Sequence, residues 1–222
     1  MSDSLISSNE KQEVLNRIGY GDTDNISSRI DSLVDDYIDN YHDFILPSFS
    51  CVYKDIGEVS GNLVRIDAVT FNSDILARLL GECEHAAVFV LTIGSYLEEL
   101  VAYLSSKGMV LQATVLDAVG SGAVEKLAGE IEAEIRLKAA GDGMVVSRRF
   151  SPGYCDWDIS QQKSFFKLLD GNTAGISLTD NMLMMPRKSI SGIIGVGLPG
   201  RDIEEYNPCL TCQKKDCPGR RR

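Results

Sequence analysis

The chain has 222 residues, 44% of them hydrophobic and 24% charged, which suits a globular fold with one sizeable core rather than a disordered or fibrous chain. Its 32 acidic residues outweigh 22 basic ones, for a net charge of −10, and this argues against nucleic acid or an anionic membrane surface as a partner. No apolar leader opens the chain and no run of about 18 apolar residues occurs, so a cytoplasmic protein is expected, with its six cysteines reduced or metal-bound.

Residues 1–10 are polar and expected to fray. A short helix is predicted over Glu13 to Ile18, stopped by Gly19-Tyr20-Gly21. A second starts near Asn25 or Ser27 and runs to Tyr41, with Ile30, Leu33, Val34, Tyr37 and Ile38 on one face. Its aspartates lie off that face and read as a solvated side. Ser50 to Ile56 and Leu63 to Phe71 read as strands, and Asp74 to Leu80 as a helix closed by Gly81. Ala86 to Ile93 is a near-continuous apolar run, the mark of a buried central strand. Ser95 to Leu104 is again helical. Helices first, then strands mixed with helices, suit an α+β fold better than a regular βαβ array.

The longest helix is predicted over Val110 to Ala139, with Leu116, Val119, Ala123, Leu127, Ile131 and Ile135 as its apolar stripe. A second face carries Ala118, Gly122, Glu125 and Gly129. Glycine inside a helix costs about 1 kcal/mol relative to alanine, so either another element or a ligand is expected to pack closely there. Glu125 stands in the middle of that bare strip.

Gly141-Asp142-Gly143 breaks the helix, and a strand is predicted over Met144 to Phe150. The chain then turns through Arg149-Phe150-Ser151-Pro152-Gly153-Tyr154 into Cys155-Asp156-Trp157-Asp158. Pro152 fixes its own φ and Gly153 allows a positive one, so a tight turn is expected. Asp158 or Ser160 caps the following helix. A cation, an approachable backbone, a phenol and the only tryptophan fall within nine residues of each other. That set suits a small ligand with a carboxylate and a flat ring: Arg149 for the carboxylate, Tyr154 for stacking or a hydrogen bond. Local chemistry alone favours the plainer alternative, a connection whose aromatics only pack in the core and whose arginine is solvated. Ile176 to Leu178, Met182 to Met185 and Ser189 to Val196 are the remaining strand candidates.

Two motifs remain near the C-terminus. Gly195-Val196-Gly197-Leu198-Pro199-Gly200 spells a dinucleotide signature, but Pro199 intrudes and no βα unit follows, so it reads as a flexible turn. Cys209, Cys212 and Cys217 have metal-like spacing. They fit zinc or an iron–sulfur cluster, with a fourth ligand from Cys51, Cys83, Cys155, a histidine or a partner, and equally fit free or redox-active thiols. Residues 1–207 are taken as the folded domain and 208–222 as a cysteine-rich tail.

Arg149-x-x-Pro152-Gly153-Tyr154 after a long helix, followed by Met184-Met185-Pro186 and Ser189-Ile190-Ser191-Gly192, resembles the activation domain of cobalamin-dependent methionine synthase. The resemblance covers Leu111 to Gly192. It implies a free-standing relative with an antiparallel sheet bounded by helices. It implies that S-adenosylmethionine is bound and its methyl group presented to a corrinoid, cobalamin, that has oxidised and is reduced by an electron donor. Arg149 is then expected to hold the ligand's carboxylate, Ser151 and Gly153 to offer backbone groups, Tyr154 to line the site, and Glu125 to face the ligand's positive charge. Ser151 departs from the small apolar residue usual in the motif, and the cysteine tail is a further departure. Cobalamin carriers of that family use a D-x-H-x-x-G motif. Neither His42 nor His85 stands in one, so the corrinoid is expected on a partner, a methionine synthase or another corrinoid protein. The rival reading is a non-enzymatic metal- or iron–sulfur-binding accessory protein that docks on a corrinoid protein or its reductase. An ordinary S-adenosylmethionine-dependent methyltransferase is disfavoured for want of a glycine-rich strand-to-helix signature.

Overall fold

The computed structural model describes residues 8–21, 25–199, 203–214 and 217. Of the residues expected to fray, 1–7 lie outside these, as does Gly200 at the end of the glycine-rich turn, while 8–10 are helical.

Helices α1 (Ser8–Arg17) and α2 (Ser28–Asn40) open the chain. Ser27 caps α2 by accepting the Ile30 N–H. A 3₁₀ turn, Tyr41–Phe44, leads to strand β1 (Ser48–Ser60). The single strand expected over Leu63 to Phe71 is a hairpin instead, β2 (Leu63–Ile66) and β3 (Val69–Asn72). Asp67 makes the reversal at φ 51, a left-handed conformation that aspartate tolerates better than most residues. Then come α3 (Asp74–Leu80), β4 (His85–Thr92), α4 (Tyr96–Ser106) and α5 (Val110–Gly141), a helix of 32 residues. The remainder is β5 (Val145–Val146), a 3₁₀ turn Ile159–Gln161, α6 (Gln162–Lys167), the small hairpin of β6 (Ser177–Leu178) and β7 (Met184–Met185), β8 (Ser189–Gly197) and α7 (Pro208–Thr211).

The main sheet runs β3-β2-β1-β4-β8-β5, and its neighbours all pair antiparallel. This is the α+β arrangement expected, an antiparallel sheet bounded by helices. Strand β1 pairs β4 with its first half and β2 with its second, and its register with β2 shifts between Ile56 and Val59. Strand β4 lies at the centre and is buried on both faces. Ala86, Val88 and Val90 enter the core shared with α3, Trp157 and Phe165. Ala87, Phe89 and Leu91 enter the core beneath α4 and α5. The apolar run reads continuously because both sides of the pleat are dry. A third cluster joins α1 and α2 to α5 through Val14, Leu15, Val34, Ile38, Val115 and Val119.

A Cβ on Gly122 or Gly129 would meet nothing within 4 Å, so no element packs closely at those two. Gly120 is where the backbone is approached: a Cβ there would stand 2.7 Å from Leu97 Cδ2 of α4. Among the described residues no helix is long and apolar enough to cross a membrane.

Candidate functional site

The predicted strand from Met144 to Phe150 is cut short. Only Val145–Val146 pair as β5, and Phe150 makes an isolated bridge to Ile193, with N···O distances of 3.0 and 2.8 Å. Ser147 is the cause. The Gly195 N–H donates to its side-chain Oγ at 2.8 Å rather than to a backbone carbonyl, which interrupts the ladder. Arg149 therefore sits in irregular backbone beside β8.

From there the chain folds on itself. The Ser151 hydroxyl, buried, donates to the Ser191 carbonyl, and Gln162 Nε2 donates to Ser191 Oγ at 3.0 Å. Gly153 takes φ 92, which favours glycine, and its N–H donates to the Trp157 carbonyl at 2.7 Å. That donor is thus committed inside the turn. Asp156 clamps the turn to α3: Oδ2 accepts the Asp74 N–H at 2.6 Å, and Oδ1 accepts the Ser73 hydroxyl at 2.7 Å. Trp157 is 1% exposed among Phe71, Phe150 and Phe165, with ring centroids 5.3 to 6.2 Å away. The tryptophan is a core residue, whereas Tyr154 in the same turn is exposed.

A cleft of about 330 Å³ opens over this turn, within the size range of small-molecule sites. Its walls come from five places: Glu125, Glu132 and Arg136 of α5; Ser147 to Pro152 with Tyr154 and Cys155; Ile159 and Gln162; Met182 to Met184; and Ser189 to Ser191 of β8. Asn207, Pro208 and Cys209 close one side. Gly153 shapes the turn without lining the cleft.

Arg149 and Glu125, expected to meet a ligand separately, meet each other. Arg149 Nη2 lies 2.8 Å from Glu125 Oε2, and its Nε lies 3.1 Å from Glu132 Oε1. The arginine side chain is 5% exposed, the two glutamates 40% and 32%. Arg149 Nη1 is buried with no hydrogen-bond partner among the described residues. Buried donors of this kind are rare without a purpose. Glu132 belongs to no motif in the sequence. Its signal is its place seven residues after Glu125, two turns along the same face of α5.

Among the described residues no group of three or more Cys, His, Asp or Glu side chains is placed to hold a metal ion. In the tail, Asn207 caps the short helix α7, which carries Cys209 and ends at Cys212. There Cys155 is in hydrogen-bond contact with Cys212, and Cys155 and Cys212 pack against the same core. Burial, then the Cys212 hydrogen bond and nearby negative charge, push the Cys155 thiol up to about 12.

Residues 67–200, more than half of the 222, match the family described as vitamin B12 dependent methionine synthase, activation domain. Among solved structures, the chain is similar to one described as the crystal structure of the MetH reactivation domain bound to AdoHcy, with a TM-score of 0.58 and 14% sequence identity. The match covers 78% of this chain and 66% of that one, just under two thirds of its length. The likeness is one of fold. No curated protein matches the chain.

Proposed function

Since the chain belongs to the family of vitamin B12 dependent methionine synthase activation domains, we propose that it binds S-adenosylmethionine in the cleft over Arg149–Tyr154 and serves the reductive methylation of a corrinoid held by a partner. The partner in this reading is a cobalamin-dependent methionine synthase or another corrinoid protein, with an electron donor. The observation that carries the reading is Arg149, whose buried Nη1 has no partner among the described residues, in the wall of a cleft that also presents two carboxylates.

The ligand is a zwitterion with an added sulfonium charge, and the cleft offers a complement to each part. Arg149 Nη1 donates to the carboxylate, a charge-assisted contact. Glu125 faces the ammonium and sulfonium charges, where the partly dry wall strengthens the attraction, while Glu132 is engaged with Arg149 Nε. Tyr154, Ile159, Leu183 and Met184 give the adenine a mixed aromatic and aliphatic surface. Ser151 sets the turn through its bond to β8, so it positions Arg149 and Tyr154. The reduced corrinoid supplies the nucleophile that takes the methyl group, and this chain supplies orientation and charge placement.

Titration calorimetry tests the binding. Wild-type protein is expected to bind S-adenosylmethionine, and Arg149→Ala to weaken it by about 1.5–3 kcal/mol, the scale of hydrogen bonds to charged groups. No binding at millimolar ligand would overturn the reading. For the reaction, methyl-labelled S-adenosylmethionine, a strong reductant and a cobalamin-loaded methionine synthase lacking its own activation domain are combined. Label is expected in the corrinoid only when this protein is added.

A further inference from the structure

We propose that Glu132 is a positioning residue for the ligand's carboxylate: it holds Arg149 by Nε so that Nη1 is kept for the ligand. The inference rests on the reading of the cleft as the S-adenosylmethionine site. Glu132 lies outside the R-x-x-P-G-Y motif.

Arg149 is delivered by a turn, so regular backbone pairing does not aim its side chain. Its head is held instead at two points. The guanidinium is a flat fork whose Nε–H and one Nη2–H leave by the same edge. Glu125 takes Nη2 at 2.8 Å and Glu132 takes Nε at 3.1 Å, so that edge is closed by protein. With Glu125 alone, the fork is free to swing about a single bond. The second carboxylate fixes its plane. What remains is the outer edge of the fork, the second Nη2–H and Nη1, the latter buried and without a partner among the described residues. Holding a group in place before the ligand arrives raises affinity because less freedom is lost on binding.

Glu132 has an alternative role, as a counter-charge for a buried cation with no part in aiming it. Two substitutions separate the roles. Glu132→Gln keeps an oxygen that accepts from Nε and removes the charge. Glu132→Asp keeps the charge and withdraws it by one methylene, breaking the 3.1 Å contact.

The test compares S-adenosylmethionine with its decarboxylated analogue by calorimetry, on the full chain. Wild-type protein is expected to prefer the carboxylated ligand. Glu132→Ala and Glu132→Asp are expected to weaken S-adenosylmethionine about tenfold, the lower end for a hydrogen bond to a charged group, and to leave the analogue unchanged. Glu132→Gln is expected to restore most of the loss. Should Glu132→Ala fail to fold by circular dichroism, the Asp and Gln variants carry the comparison. Equal weakening of both ligands, full affinity in Glu132→Asp, or a Gln variant no better than Asp overturns the inference. If wild-type protein itself shows no preference between the ligands, it is the Arg149–carboxylate reading that fails. If that preference is present and Glu132→Asp retains it in full, only the role of Glu132 fails.

Discussion

Gly192 and Arg149 touch in a way that leaves no room for a side chain between them. A Cβ on Gly192 would stand 3.0 Å from Arg149 Cδ, and 2.5 and 2.7 Å from two ring carbons of Phe89. The glycine of the Ser189-Ile190-Ser191-Gly192 stretch thus forms the floor on which the arginine stem lies. Gly192→Ala is expected to force Phe89 and Arg149 apart, lowering stability by about 1–3 kcal/mol as overpacked cores do. It is also expected to weaken S-adenosylmethionine binding beyond what Ala at an open glycine such as Gly129 does. Thermal melts and calorimetry on the two variants check this. Wild-type stability in Gly192→Ala would show that the two side chains yield freely.

Glu125→Gln probes charge directly. S-adenosylmethionine carries a sulfonium and S-adenosylhomocysteine a neutral thioether, while the rest of the two molecules is the same. If Glu125 faces the sulfonium, the Gln variant loses affinity for the first ligand more than for the second. The carboxylate is 40% exposed, so screening limits the difference to about 1 kcal/mol. An unchanged ratio of the two dissociation constants would place the sulfonium away from Glu125.

Much of this fold is legible from periodicity alone, because burial leaves regular marks. The apolar run of β4, the start of α2 at Ser27, and the extent of α3 and α5 follow from local pattern. The pattern is broken at the Asp67 reversal, where one apolar stretch folds into a hairpin, and where a side chain replaces a backbone partner. Ser147 Oγ takes the Gly195 N–H and ends a strand. Gln161 exchanges two hydrogen bonds with the Asn72 backbone, 2.8 and 2.9 Å, and covers the edge of β3 without any strand. Neither bond has a periodicity to read. In the site, the motif located Arg149 and Tyr154, but the pairing of Arg149 with Glu125 and Glu132 is a contact 17 and more residues away along the chain, set by how α5 lies on the sheet. The contact of Cys155 with Cys212 is of the same kind.

Asp156 is expected to matter for stability more than its exposure suggests. It accepts from the Asp74 and Ile75 N–H groups, at 2.6 and 3.3 Å, at the first turn of α3. It also accepts the Ser73 hydroxyl, which itself caps the helix by accepting from Leu76. Asp156→Ala removes an N-terminal cap partner and loosens the ligand turn from α3. The expected loss is about 1–2 kcal/mol, read by chemical denaturation, with Asp156→Asn intermediate. A variant as stable as wild type would mean that water replaces the carboxylate at no loss.

The last prediction concerns Cys155. Burial acts first on its thiol, and the hydrogen bond with Cys212 together with the negative charge of Cys212, Cys209 and Asp156 acts in the same direction, so it is pushed up to about 12. The thiolate is the species that reacts with alkylating agents, and at pH 8 Cys155 holds almost none of it. Alkylation by iodoacetamide, mapped by mass spectrometry on the folded protein, is therefore expected to be far slower at Cys155 than at the same cysteine in denaturant, and to stay slow as pH rises past 9. Cys212→Ser removes one negative neighbour, so Cys155 labelling in that variant is expected to speed up. The sign for stability follows from the same displacement. The folded thiol is held above its ordinary value, so the contribution is fully present below about pH 9 and is lost as pH rises toward 12. Melting temperature is expected to fall over that window by less in Cys155→Ser than in wild type. Rapid labelling of Cys155 at pH 8 in folded protein, or identical melting profiles for the two proteins, would show that the thiol is neither buried nor coupled to the tail.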